Sequence, residues 1–395
     1  METAKNLILA GPKRVIVHDN EKVQIRDLGT NFYCKEEDVG HKTRAQASLD
    51  QLKLLNPYAD VNIHEEEITT DFLSQFDVVV FTDFYDKAKL IQFNSFCRNA
   101  EKPIGFIYSG LLGLYGFLFV DFGAKFSVFD ATGEDRKHAI ISAITNDNPG
   151  QVTTYEEKRH GFIDGDVVKF KEVVGMNEVN DHQYQIKVLS PYTFTIDCDT
   201  TKFEKYERNG LAEQVKVAQT VTFKSFEESL QAPVGKDFLP LENPDLDKLE
   251  RPEHLHIGLN AILDFYEAYN TLPRLNNEED AEKVLKIYEQ INNGSTMEVE
   301  GRVKVDQINP ELVKNLARYA VAQVSPHASF FGGIVAQEAI KYTGKFMPLR
   351  QWLHFETFEL LPEGQEVNRT VANCRYDDQI AIFGREFQEK WMNQK

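Results

Sequence analysis

Asp19 follows an apolar, strand-like run, Arg14 to His18, and a carboxylate in that position of a nucleotide-binding α/β unit commonly holds a ribose. That chemistry needs a companion: a preceding strand with a glycine-rich turn, whose backbone N–H groups meet phosphate at the next helix's N-terminus. No such turn precedes Asp19. The chain opens instead on a predicted helix, with Ala4, Leu7, Ile8 and Ala10 on one face and Gly11-Pro12 as a stop. Asp19 is the one candidate for cofactor contact, against capping or loop hydrogen bonding.

Other chemical groups read differently. Ser109 to Gly116, SGLLGLYG, has phosphate-loop glycines, but the following FLFVDFG is strand-like rather than helical, so a tight connection is expected. His254 and His256 stand two apart on a predicted helix and face different sides, which argues against a metal pair. Glu65 to Glu67 reads as a solvated strand end. Cys34, Cys97, Cys198 and Cys374 are scattered without C-x-x-C spacing, and no P-x-C-T nucleophile motif occurs. No serine, histidine and acid set has triad spacing, so no catalytic and no metal-binding residue is assigned.

The elements that would position these residues change texture along the 395-residue chain. Residues 1 to about 146 alternate helical windows with short apolar runs (RVIVHD, VNIHEEE, FDVVVFTD, KPIGFIYSG, YGFLFVDFG), a doubly wound α/β pattern. About 85 residues of strands and turns follow TNDNPG and predict an inserted small β-barrel or sandwich. A Pro- and acid-rich connector, QAPVGKDFLPLENPDLDKLERPE, leads to three apolar helical stripes starting at Leu255, Ala281 and Leu312, a compact bundle. A further helix carries Gly332 and Gly333, each costing about 1 kcal/mol relative to alanine, which predicts close backbone approach there. The strand-like QWLHFETFELL comes next.

Composition narrows the partners. Lysine and arginine number 44 against 62 acidic residues, a formal charge of −18 that repels nucleic acid and anionic lipid. No apolar run approaches the ~20 residues of a membrane span and no signal-peptide pattern is present, so a cytoplasmic or nuclear setting is the expectation.

VGHKTRAQASLDQLKLLN, ITNDNPGQVTTYEEKRHGFIDGDVVKFKEVVGM, IKVLSPYTFTI, RPEHLHIGLNAI, SFFGGIVAQEAIKYTGKFMPLRQWLHFETFELLP and CRYDDQIAIFG occur in an order that resembles the N-terminal half of the ubiquitin-activating enzyme family. The resemblance covers essentially the whole chain. It implies an incomplete ThiF-like adenylation fold, α/β with a doubly wound, mostly parallel sheet, an inserted β-barrel and a helical bundle. By resemblance, residues 1–149 and 327–372 form the inactive adenylation domain, lacking its first strand and glycine turn. Residues 150–234 form the first catalytic-cysteine half-domain, which has no nucleophile, 250–326 the four-helix bundle, and 373–395 the opening of the active adenylation repeat.

The family's active half follows its second strand with an acidic pair and S-N-L-N-R-Q-F, whose asparagine and arginine reach ATP. Here DNEKVQIRDLGTNF keeps Asp19 and places Glu21 at the second acid, but Gly29 and Thr30 stand at the asparagine and arginine places. Asp38 to Gly40 keeps the following DVG, with the expected lysine at Lys42 or Thr43. The resemblance therefore implies the non-catalytic half: pseudo-dimer and ubiquitin-contact scaffold, inactive alone, with no bound cofactor of its own. ATP and magnesium belong to the full-length family enzyme, which adenylates the ubiquitin C-terminus and passes it to a cysteine. The implied partners are ubiquitin, an active adenylation half in cis or in trans, and a ubiquitin-conjugating enzyme only through a C-terminal portion not in this sequence. The sequence looks clipped at both ends, and the absent first strand would leave two open strand edges in the sheet. The alternative is a stand-alone non-catalytic subunit for a separate catalytic polypeptide. The α/β pattern by itself also suggests a nicotinamide oxidoreductase, which the missing glycine turn disfavours.

Overall fold

The computed structural model describes the chain except residues 234–237, 240–247, 249, 295–300, 363–366 and 395. It divides into two compact units: Met1–Phe126 with Thr222–Thr343 and Pro348–Lys395, and Ser127–Val221 with Gly344–Met347.

The first unit starts with helix α1 (Glu2–Ala10), which ends at Gly11 in the left-handed conformation, φ 82°, as the Gly-Pro stop predicts. Strand β1 (Arg14–Val17), helix α2 (Arg44–Leu55), strand β2 (Asp60–Ile63), helix α3 (Thr70–Leu73), strand β3 (Val78–Phe81), helix α4 (Lys87–Asn99), strand β4 (Gly105–Leu112) and strand β5 (Tyr115–Asp121) follow. Strands β4 and β5 form a hairpin with Leu112 opposite Tyr115, so SGLLGLYG is a tight connection between strands. Two linking residues permit only antiparallel pairing. Both strands read as unbroken apolar runs because nearly every side chain is buried on one face or the other.

The second unit holds β7 (His138–Ile144), β8 (Gln151–Thr154), β9 (Val167–Lys171), β10 (Gln183–Ser190), β11 (Thr193–Ile196) and β12 (Leu211–Val215), closed into a six-stranded antiparallel barrel in the order β10-β11-β8-β7-β12-β9. Alternate residues point inward, so Ile141, Val152, Val168, Phe170, Phe194 and Ile196 fill its core. The barrel uses β7, which precedes the expected boundary at residue 150. A short ribbon pairs β6 (Phe126–Val128) with β13 (Gln219–Val221).

Back in the first unit come α5 (Phe226–Gln231), β14 (Phe238–Leu239), α6 (Arg251–Tyr269), α7 (Glu278–Asn293), α8 (Pro310–Arg318), α9 (Ser325–Lys341), β15 (Trp352–Glu356), α10 (Asp377–Phe383) and α11 (Arg385–Met392). Most of the connector QAPVGKDFLPLENPDLDKLERPE lies outside the described residues. Among the described residues between 250 and 326 there are three complete α-helices, one for each apolar stripe, and α9 begins at Ser325. They share one core with the sheet: Leu259, Ile262, Val284 and Leu316 belong to the same buried cluster as Phe106, Phe117 and Trp352.

Among the described residues the sheet has three parallel and two antiparallel ladders. Its larger piece has the order β14-β15-β5-β4-β3, with β3 parallel to β4 and β14 parallel to β15, but β5 antiparallel to both neighbours. A separate piece consists of β1 and β2 alone, in parallel. Among the described residues, β1 and β3 each have one edge without a ladder partner. Their apolar side chains show it: no residue of β1 is fully buried, and Val78 and Val80 of β3 remain partly exposed.

Helix α9 lies against α1, and Gly332 permits this, since a Cβ there would fall well under 3.0 Å from Glu2. Gly333 faces open space, so close approach explains the first glycine and not the second. Among the described residues no helix is long and apolar enough to cross a membrane.

Candidate functional site

A polar cleft of about 230 Å³ opens in the first unit beyond the C-terminal ends of β3 and β4, where an open α/β sheet ordinarily receives its ligand. Its lining includes Arg26, Asp27, Thr30, Arg44, Asp83 and Asp378. After β1 the chain reaches a short 3-10 helix, Ile25–Gly29, locked at its start when Gln24 N–H donates to Asp27 Oδ2 at 2.7 Å. Arg44 is the first residue of α2, whose N-terminus Thr43 caps by accepting from Gln46 N–H at 3.1 Å. A cation there opposes the helix dipole, and nearby carboxylates offset it.

Those carboxylates engage both cleft guanidinium groups. Arg44 Nε lies 2.8 Å from Asp19 Oδ2, and its Nη1 lies 3.6 Å from Asp27 Oδ1. Asp19 also accepts from Glu21 N–H at 3.2 Å. Arg26 donates to the Val321 carbonyl and pairs with Asp378, 2.8 Å to Oδ1 and 3.0 Å to Oδ2. Asp378 accepts a further bond from Gln323 N–H at 2.9 Å and is 6 % exposed. Burial pushes its carboxyl above the usual range, partly countered by Arg26 and that N–H group. Asp83, just past β3, reaches solvent at the mouth; the surrounding protein nevertheless pushes its carboxyl up, with Arg44 acting in the opposite direction.

The electrostatics follow from the count. Two guanidinium groups share the lining with three carboxylates, Asp27, Asp83 and Asp378, and Asp19 pairs with Arg44 from outside it, so the cleft is net acidic. Magnesium-bound ATP needs uncommitted cations for its phosphates, and these residues do not fit it. Thr30 lines the cleft without charge. Lys42 turns away to Asp38, Nζ to Oδ1 at 2.7 Å, and Thr43 is spent as the cap of α2. Gly29 lies against the tail: a Cβ there would fall well under 3.0 Å from the Arg375 carbonyl, and Arg375 donates to the Leu28 carbonyl. Sequence reasoning missed Arg26 and Asp378, which meet only through folding.

The remaining sequence candidates have structural partners. His254 meets the Tyr288 hydroxyl at 2.7 Å, while His256 meets the Leu230 carbonyl at 3.0 Å and His354 at 3.2 Å, so the two imidazoles do point apart. Glu65 accepts from Gln46, and Glu67 pairs with Lys89 at 3.0 Å. Burial pushes the Cys34 thiol up to about 11 and Cys97 to about 12, and raises Cys198 and Cys374 as well. A thiol nucleophile needs the opposite shift.

Residues 147–216 match the ubiquitin-activating enzyme E1 FCCH domain, and residues 217–292 match the ubiquitin-activating enzyme E1 four-helix bundle. The chain is a relative of the E1 ubiquitin-activating enzymes and is homologous to their N-terminal portion. Over its whole length it is 42% identical to ubiquitin-like modifier-activating enzyme 1 of Mus musculus and of Homo sapiens, covering 36% of each. It is 39% identical to ubiquitin-activating enzyme E1 1 of Arabidopsis thaliana, with 98% of the chain aligned to 35% of that protein. The chain thus spans about a third of the length of these relatives.

Proposed function

We propose that this chain serves as the non-catalytic scaffold of a ubiquitin-activating assembly. Its first unit is the inactive adenylation half: it offers the pseudo-twofold surface on which an active half packs, and part of the wall that holds ubiquitin. ATP, magnesium and the thioester cysteine belong to the partner half, which the same polypeptide or a separate subunit supplies. A ubiquitin-conjugating enzyme would be reached through that remainder. The cytoplasm and nucleus are the proposed setting.

One observation carries the reading. In a chain alignable end to end with E1 relatives, the cleft at the strand ends has both guanidinium groups tied to carboxylates and is net acidic. Such a pocket has nothing to offset triphosphate charge, whereas the fold around it persists as a packing surface. The test is reconstitution. The chain is mixed with a polypeptide comprising the rest of the Mus musculus relative, and the mixture is separated by size. A one-to-one complex that forms a ubiquitin thioester, while neither component does alone, is the expected result. Failure to associate, or thioester on this chain by itself, would count against the scaffold.

A further inference from the structure

Asp378 occupies the cleft the way a bound anion would. Its carboxylate receives both a guanidinium and a backbone N–H, from Arg26 and Gln323, and it is almost wholly buried. The donors come from two separate segments, the 3-10 helix after β1 and the loop between α8 and α9. The Arg26 Nη2 that meets Asp378 also donates to the Val321 carbonyl, so the guanidinium is held in place by more than Asp378. A guanidinium nitrogen, here Arg26 Nη2, beside an inward-pointing N–H is a common recognition set for phosphate or carboxylate oxygens.

We propose that this cleft is an oxyanion site occupied by the chain's own Asp378. The ligand class is a small oxyanion, a phosphate group or a carboxylate, held by Arg26 and Gln323 N–H when the Asp378 carboxylate is removed or withdrawn. The contact has a structural consequence: the same carboxylate fastens α10, and with it the segment from Arg375 onward, over the cleft, where Arg375 and Gly29 complete the seam. The site takes one anionic group rather than a polyphosphate, because Asp27 and Asp83 remain in the lining.

The test uses the full chain and inorganic phosphate, with chloride exchanged for phosphate at constant ionic strength. The readouts are the Gln323 amide resonance and the thermal midpoint. In Asp378→Ala, phosphate should shift that resonance saturably and raise the midpoint, with affinity about tenfold or more above the unsubstituted chain, the size of one charge-assisted hydrogen bond. Adding Arg26→Gln to Asp378→Ala should abolish both responses. Asp378→Asn keeps the side chain's shape and removes its charge; it serves if the alanine variant does not fold, and should respond between the two. The unsubstituted chain decides on its own as well. No saturable shift at Gln323 agrees with self-occupancy, whereas a shift at the affinity of the alanine variant would overturn it. A response that survives in the Arg26→Gln double variant, or none in a folded Asp378→Ala, would overturn it too. Neither ubiquitin nor a catalytic partner enters the titration, so its outcome is separate from that of the reconstitution.

Discussion

His354 Nε2 and His256 Nδ1 lie 3.2 Å apart, joining β15 to α6 inside the first unit's core. The Tyr115 hydroxyl donates to His354 Nδ1 at 2.8 Å, and His256 Nε2 donates to the Leu230 carbonyl at 3.0 Å. That pattern uses each imidazole in its neutral form. Burial lowers His256 from 6.5 to about 4 and holds His354 well below its usual value, with His256 adding to that effect.

The sign of the pH dependence follows. Above about pH 6.5 both states are neutral at His256, and the histidine contributes no pH dependence. Between about pH 6.5 and 4 the unfolded chain takes up a proton that the folded chain refuses, so stability falls as pH falls, by about 3 kcal/mol for His256. Urea midpoints measured across that window should drop with acid, and His256→Gln should flatten the slope. An unchanged slope in the variant would remove His256 from the account.

Arg98 should be costly to truncate. Its guanidinium lies 2.6 Å from Asp121 Oδ1, and Asp121, fully buried, also accepts from Asn94 at 2.7 Å and Gly123 N–H at 2.8 Å. Arg98→Ala leaves a buried carboxylate without its cation, which typically costs about 3–5 kcal/mol. Equilibrium urea unfolding measures it, and a loss under about 1 kcal/mol, the range of an exposed pair, would be inconsistent.

Adjacent glycines of α9 should respond with opposite signs. Gly332→Ala drives a methyl into Glu2 and should loosen α1 from α9, destabilising by about 1–3 kcal/mol. Gly333→Ala meets nothing and should stabilise by up to about 1 kcal/mol through helix propensity. Thermal unfolding of the two variants side by side checks the pair.

The divided sheet should open unevenly. Strands β1 and β2 form only a two-stranded piece and are half exposed, whereas β4 and β5 are buried and paired on both sides. Amide exchange should be faster at Val15–Val17 than at Phe106–Leu112. The isolated chain should also melt low, and a single cooperative transition above about 55 °C would contradict this weakness.

The sequence made the elements legible where a single period dominated. The apolar, β-branched run at Val78–Phe81 and the stripe through Leu255 and Leu259 announce their burial directly. Gln151–Thr154 was less readable: its strand is half polar, because one face of a barrel wall meets solvent. The tight connection at SGLLGLYG is legible because a strand-like run, not a helix, follows its glycines. The cleft was the least readable part. Asp19, a candidate for cofactor contact against capping or loop hydrogen bonding, accepts from Glu21 N–H and pairs with Arg44, while Arg26 and Asp378, remote in sequence, meet only when α10 folds over the 3-10 helix. Linear spacing carries no trace of such a pair.

The most direct measurement is ubiquitin-dependent ATP–pyrophosphate exchange by the purified chain with magnesium present. The scaffold account predicts exchange at background level, restored when the rest of a full-length relative is added. Exchange by the chain alone, dependent on ubiquitin and resistant to further purification, would contradict it.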